Sequence, residues 1–155
     1  MTNTKKNPFR VLGINHLGIV PKDFAQASDF FQDLLGLGFQ GDEDVIDQQT
    51  KTRMFRSTSD EAQKEMPPFS RLELLAPMGD EGPIHKYLET KGGGIHHLAL
   101  DVDDVAAALD YLNSKGVQLI DKTPRTGAHQ TLVGFIHPRA TGGILVELVQ
   151  EKTRP

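Results

Sequence analysis

The stretch Gly92-Gly93-Gly94-Ile95-His96-His97-Leu98-Ala99-Leu100-Asp101-Val102-Asp103-Asp104 reads as a glycine-rich loop, a strand and a helix start. A weaker copy lies upstream, at Ile14-Asn15-His16-Leu17-Gly18-Ile19-Val20-Pro21-Lys22-Asp23. At one offset of 81, His16 pairs with His97, Ile14 with Ile95, Leu17 with Leu98 and Asp23 with Asp104. Ala25 with Ala106, Ala27 with Ala108 and Asp29 with Asp110 follow at the same offset. Seven identities at one spacing indicate an internal duplication, with one histidine at the same place in each half.

The duplication sets the expected elements. Residues 11–20 form a strand, and Asp23 caps a helix whose apolar positions are Phe24, Ala27, Phe30, Phe31, Leu34 and Leu35, ended by Gly36. Weaker strands follow at 39–46 and 50–56, then an exposed loop at 57–70, then a strand at 71–75 ended by Pro77. A linking helix runs from Pro83 to Lys91, capped by Asp80 or Glu81. The second half repeats the order: a strand at 95–102, a helix from Asp103 or Asp104 to Gly116, and strands at 117–120, 132–136 and 144–149. The expected fold class is α+β: two tandem βαβββ modules, about 11–77 and 94–150, form one curved mixed sheet around a metal-binding cleft, helices on the outer face. The domain is 11–150, with 1–10 a flexible tail.

A second repeat lies at the strand ends. Leu72-Glu73-Leu74-Leu75 matches Val146-Glu147-Leu148-Val149, with Glu73 standing 57 residues after His16 and Glu147 standing 50 after His97. The longer first interval fits the 57–70 loop. An acid between aliphatic residues of a strand points away from them, because the pleat alternates. His16 and His97 likewise point away from Leu17 and Leu98. With the leucine faces under the helices, His16, Glu73, His97 and Glu147 share the opposite face. Imidazoles and carboxylates are an open ligand set for a first-row divalent metal. One histidine or glutamate in a strand is ordinarily structural or solvated; the matched pairs carry the reading. His96 faces the other way and reads as structural; His85 and His129 have no matched partner and read as surface residues.

Composition bounds the rest. The 155 residues suit one domain, or two half-domains sharing a core. Mean hydropathy of −0.37 and the short apolar runs argue against a membrane protein. A net charge of −4 argues against a nucleic-acid partner. The chain has no cysteine, so thiolate chemistry and disulfides are excluded. The first ten residues are polar without an apolar signal core, and a cytoplasmic location is the expectation.

These residues resemble the vicinal oxygen chelate superfamily, which includes glyoxalase I, extradiol dioxygenases, fosfomycin- and bleomycin-resistance proteins and methylmalonyl-CoA epimerases. The resemblance covers about residues 11–150. Local strings are most similar to the epimerases: Leu72 to Pro77, Gly94 to Ala99, Gly116 to Asp121 with Pro124 to His129, and above all Phe135-Ile136-His137-Pro138-Arg139-Ala140-Thr141-Gly142-Gly143-Ile144-Leu145-Val146-Glu147-Leu148. The resemblance implies metal ligands at His16, Glu73, His97 and Glu147, one divalent ion (Co, Ni, Mn or Zn), an acyl-CoA substrate and a homodimer. It implies epimerisation of methylmalonyl-CoA by removal of the C2 proton through a metal-stabilised enolate, with Glu147 and Glu73 as the catalytic carboxylates. Some epimerases carry a further glutamate where this chain has Lys51-Thr52-Arg53-Met54-Phe55, so Glu73 or a water would serve as the second base. Arg53, Lys122, Arg125 and Arg139 are candidate contacts for the substrate carboxylate or CoA phosphates, against a plain surface role. Two other readings use the same scaffold: a glyoxalase I-like lactoylglutathione lyase, and a non-catalytic small-molecule-binding protein.

Overall fold

The computed structural model describes residues 7–56 and 71–152. The expected loop at 57–70 and most of the expected tail lie outside the described residues. The chain divides into two compact units, one of residues 14–99 and one of residues 1–13 with 100–155.

In the unit of residues 14–99, β1 (Val11–Val20), β2 (Gly38–Val45), β3 (Thr50–Arg56), β4 (Arg71–Pro77) and β5 (Gly94–Val102) follow the order β2-β3-β4-β1-β5. β1 and β4 are parallel, while β2, β3 and β4 are antiparallel neighbours, so the sheet is mixed. Asp23 caps α1 (Phe24–Asp29), its side chain accepting from the Gln26 N–H at 2.9 Å. The expected helix is not α-helical to its end. Phe30–Leu34 is a π-helical turn, closed by the Leu35 N–H donating to the Phe30 carbonyl at 3.0 Å. The wider turn changes the phase of the apolar stripe, and Leu34 and Leu35 end 77% and 57% exposed. α2 (Pro83–Lys91) has the expected bounds but not the expected cap. Gly82, at φ 95, is the N-cap and makes no side-chain bond, so neither Asp80 nor Glu81 serves. Ile84 of α2 packs with Val20 and Leu75.

In the other unit, Asp104 rather than Asp103 caps α3 (Val105–Ser114), accepting from the Ala107 N–H at 2.9 Å. Val105, Ala108 and Leu109 are buried against Ile136, Val146 and Leu148 of β7 (Leu132–Ile136) and β8 (Val146–Gln150), which pair antiparallel. Gly134 makes the approach possible: a Cβ there would lie 2.6 Å from a Leu109 methyl. Asp103 has another task. It accepts from the backbone N–H of Arg10 at 2.7 Å and from its guanidinium at 2.9 Å, and Arg10 holds that carboxyl below the usual range. Phe9 lies edge-on to Tyr111, so the end of the stretch read as a tail is anchored.

The expected strand at 117–120 is a single bridge, Leu119 to Ile136. The Asp121 carboxylate accepts the Phe135 N–H at 2.9 Å, taking a donor that a ladder would need. The strand appears instead as β6 (Arg125–Thr126), paired with β7, so the order strand–helix–strand–strand–strand holds in both halves. The last strand starts at Val146 rather than Ile144, because the Thr141 hydroxyl bonds both the N–H and the carbonyl of Ile144 and closes a turn there.

Candidate metal centre

Gly18 organises the site. It stands two residues beyond His16 on β1, so both face the same side of the sheet. In the parallel register it is opposite Glu73 of β4. From β5, the imidazole of His97 occupies the space a side chain at Gly18 would need: a Cβ there would lie 2.1 Å from His97 Cε1. One bare position thus lets a side chain from each of three strands converge. Two residues after the second histidine stands Ala99, also small. That matched small residue, Gly18 against Ala99, is the signal of the close approach in the sequence.

The three side chains are buried, at 6%, 5% and 5% exposure for His16, Glu73 and His97. His16 Nε2 lies 3.3 Å from Glu73 Oε2, His97 Nε2 lies 3.5 Å from the same oxygen, and the two Nε2 atoms are 3.0 Å apart. Each ring has its other nitrogen engaged. His16 Nδ1 bonds Asn15 Oδ1 at 2.7 Å, and His97 Nδ1 lies 3.0 Å from His96 Nδ1. Asn15 Oδ1 can only accept, so His16 donates from Nδ1, and a neutral ring then presents a lone pair at Nε2.

Lone pairs of an imidazole and a carboxylate therefore meet inside a buried space, which is unfavourable without a cation between them. The dimensions suit a metal ion. Atoms 3.0, 3.3 and 3.5 Å apart are equidistant, at about 1.9 Å, from a common centre, and an ion just off that plane reaches bond lengths of ~2.0–2.2 Å to nitrogen and carboxylate oxygen. Two imidazoles and a carboxylate, without thiolate, suit a first-row divalent ion.

The structure thus brings together His16, Glu73 and His97 of the sequence-derived set. Glu147 belongs to the other unit, where it is buried on β8 opposite Phe135 in register. His96 turns to α2 and packs edge-on to Tyr87 at 4.9 Å, as its opposite facing required, yet it also touches His97. His85 pairs with Glu89 one helical turn on. Arg53 forms a two-pronged ion pair with Asp42 at 2.7 and 2.6 Å and stacks on Phe24 and Phe39. Arg125 stacks on Phe135 and pairs with Asp121. Thr52 is buried, its hydroxyl donating to the Glu43 carbonyl at 3.2 Å.

The sequence profile of the Glyoxalase/Bleomycin resistance protein/Dioxygenase superfamily matches residues 15–135. An uncharacterized protein of Bacillus subtilis, YqjC, is 36% identical over 139 residues, covering 90% of this chain and 92% of its own. An ethylmalonyl-CoA/methylmalonyl-CoA epimerase of Cereibacter sphaeroides is 34% identical over 139 residues, 88% of this chain and 96% of its own. Among solved structures, a Streptomyces coelicolor methylmalonyl-CoA epimerase in complex with 2-nitronate-propionyl-CoA superposes with a TM-score of 0.82. It is 29% identical and covers 93% of this chain and 100% of that one. With its profile match, the α+β order of its described residues and its inward pair of histidines, the chain belongs to the Glyoxalase/Bleomycin resistance protein/Dioxygenase superfamily.

Proposed function

We propose that this chain is a metal-dependent isomerase that epimerises methylmalonyl-CoA at C2, acting as one functional domain over residues 11–150. The observation that carries the reading is the buried convergence of His16, Glu73 and His97 in a chain so similar to an epimerase of that substrate. His16 and His97 offer Nε2 and Glu73 offers Oε2; by the duplication, Glu147 stands to His97 as Glu73 stands to His16, and is the proposed fourth ligand. The bound ion, of the Co, Ni, Mn or Zn class, would supply Lewis-acid stabilisation of the charge that develops on the substrate oxygens.

The chain's own part is proton transfer. The C2 hydrogen lies between a thioester and a carboxylate, and inversion needs a base on one face and an acid on the other. Glu147 is the proposed partner on one face. No acid stands at 51–55, so Glu73 or a water it orients serves the other. Arg53, opposite Leu74 rather than Glu73 in register, is held by Asp42 and two aromatic rings and does not reach for substrate. Among the described residues no helix is long and apolar enough to cross a membrane. A cytoplasmic location and a homodimer are part of the proposal.

The test is deuterium entry at C2 of (2R)- or (2S)-methylmalonyl-CoA in deuterated water, followed by mass spectrometry with and without a chelator. Metal-dependent exchange with loss of chirality is the expected result. No exchange above the chelated control would overturn the reading and shift the weight to a hemithioacetal substrate of the glyoxalase kind.

A further inference from the structure

We infer that Asn15 and His96 are positioning residues that determine which nitrogen of each ligand histidine faces the site. They occupy matched places, each immediately before a histidine of the duplication, and each touches the Nδ1 atom of that histidine. The inference rests on the metal-site reading for its purpose, not for its geometry.

The two halves solve the same problem differently. Free neutral imidazole can carry its proton on either nitrogen, and only the ring with Nδ1–H presents Nε2 as a ligand. Asn15 is almost fully buried, and its carboxamide oxygen, 2.7 Å from His16 Nδ1, can only accept. It locks His16 in the Nδ1–H form. In the second half the partner is an imidazole. His96 Nδ1 at 3.0 Å accepts from His97 only while its own proton sits on Nε2. Its ring is held in place from α2: Tyr87 packs edge-on against it and anchors itself by donating its hydroxyl to the Ile95 carbonyl at 2.8 Å. Ligand histidines in proteins are oriented in this way by the partner of the second ring nitrogen, and loss of such a partner costs ~10–100-fold in metal affinity.

The tautomers are read directly from two-bond proton–nitrogen correlations of the histidine rings in metal-free protein. Metal affinity is read by competition for Co2+ alone, and folding by the thermal midpoint. Wild type is expected to show His16 with its proton on Nδ1. Asn15→Leu should move that proton to Nε2 and weaken Co2+ binding ~10–100-fold, whereas Asn15→Asp, which keeps an acceptor oxygen, should retain both. His96→Leu should weaken Co2+ binding likewise, and His96→Asn, which gives the second half the residue of the first, should restore it. A wild-type His16 protonated on Nε2, or leucine variants with unchanged tautomers and affinity, would overturn the inference. If wild type takes up no Co2+, the metal reading falls, and the tautomers of the metal-free variants still decide on Asn15 and His96.

Discussion

The two copies of the duplicated unit begin their helices identically and then part. Asp23 and Asp104 each accept from the N–H three residues on, both at 2.9 Å. From there α3 runs for ten residues with Val105, Ala108 and Leu109 buried, whereas α1 runs for six and opens into a π turn that leaves Leu34 and Leu35 in the open. The offset of 81 carries the capping aspartates across, but it sets Lys115 and Gly116 against Leu34 and Leu35, and Leu109 against Ser28. The difference shows that a cap acts locally and is copied with its residues, while burial depends on what stands opposite. For α3 that is Ile136, Val146 and Leu148, with bare Gly134 admitting Leu109.

The site breaks this asymmetry, and the largest expected effect lies there. His16→Ala and His97→Ala should each lower C2 exchange by at least ~100-fold, beyond the cost of losing an orienting partner, and by similar amounts despite their unlike neighbours. A variant that kept most of its exchange would remove that histidine from the site.

Next comes packing. Leu109→Ala should cost ~2–5 kcal/mol in denaturant unfolding, because it leaves a cavity in a closed core. Leu34→Ala should stay within ~0.5 kcal/mol. Equal losses would mean that the two helices are buried alike in solution. Removing either cap, by Asp23→Ala or Asp104→Ala, should cost ~1 kcal/mol and the same in both halves, read by the same unfolding curves.

The smallest effect concerns the Arg53–Asp42 pair of the first half. The Arg53 guanidinium beside Asp42 holds that carboxyl below its usual range, chiefly through their hydrogen bonds. A depressed carboxyl contributes stability that is present above the unfolded aspartate value of ~3.9 and is lost as pH falls through the folded value. Half of Asp42 is exposed, so screening limits the effect to ~1 kcal/mol or less. Arg53→Met should flatten the acid limb of stability against pH by that amount, and an unchanged limb would show that the pair contributes nothing.

What was legible in the sequence is what neighbouring residues decide among themselves. β1, β7, α2 and the Asp23 cap follow from alternation, helical spacing and capping chemistry, which narrow the second cap to Asp103 or Asp104. Illegible were features set by a competing bond or backbone conformation that alternation and helical spacing do not encode. The strand expected at 117–120 lost its ladder to the Asp121 carboxylate, and Gly82 displaced two acidic caps through a backbone conformation that they avoid. In the site, alternation put His16, Glu73 and His97 on one face, and the structure converges them. The same alternation set His96 aside as facing away, and Asn15 carried no signal of its own. It concealed that a side chain one residue along can still reach the edge of its neighbour's ring. Gly18 was concealed because what matters there is a missing side chain.

The most direct measurement is metal content after equilibrium dialysis against Co2+ or Mn2+, in wild type and in the double variant His16→Ala/His97→Ala. The account predicts one ion per chain in the wild type, with the double variant at background. An ion retained by the double variant, or none taken up by the wild type, would contradict it.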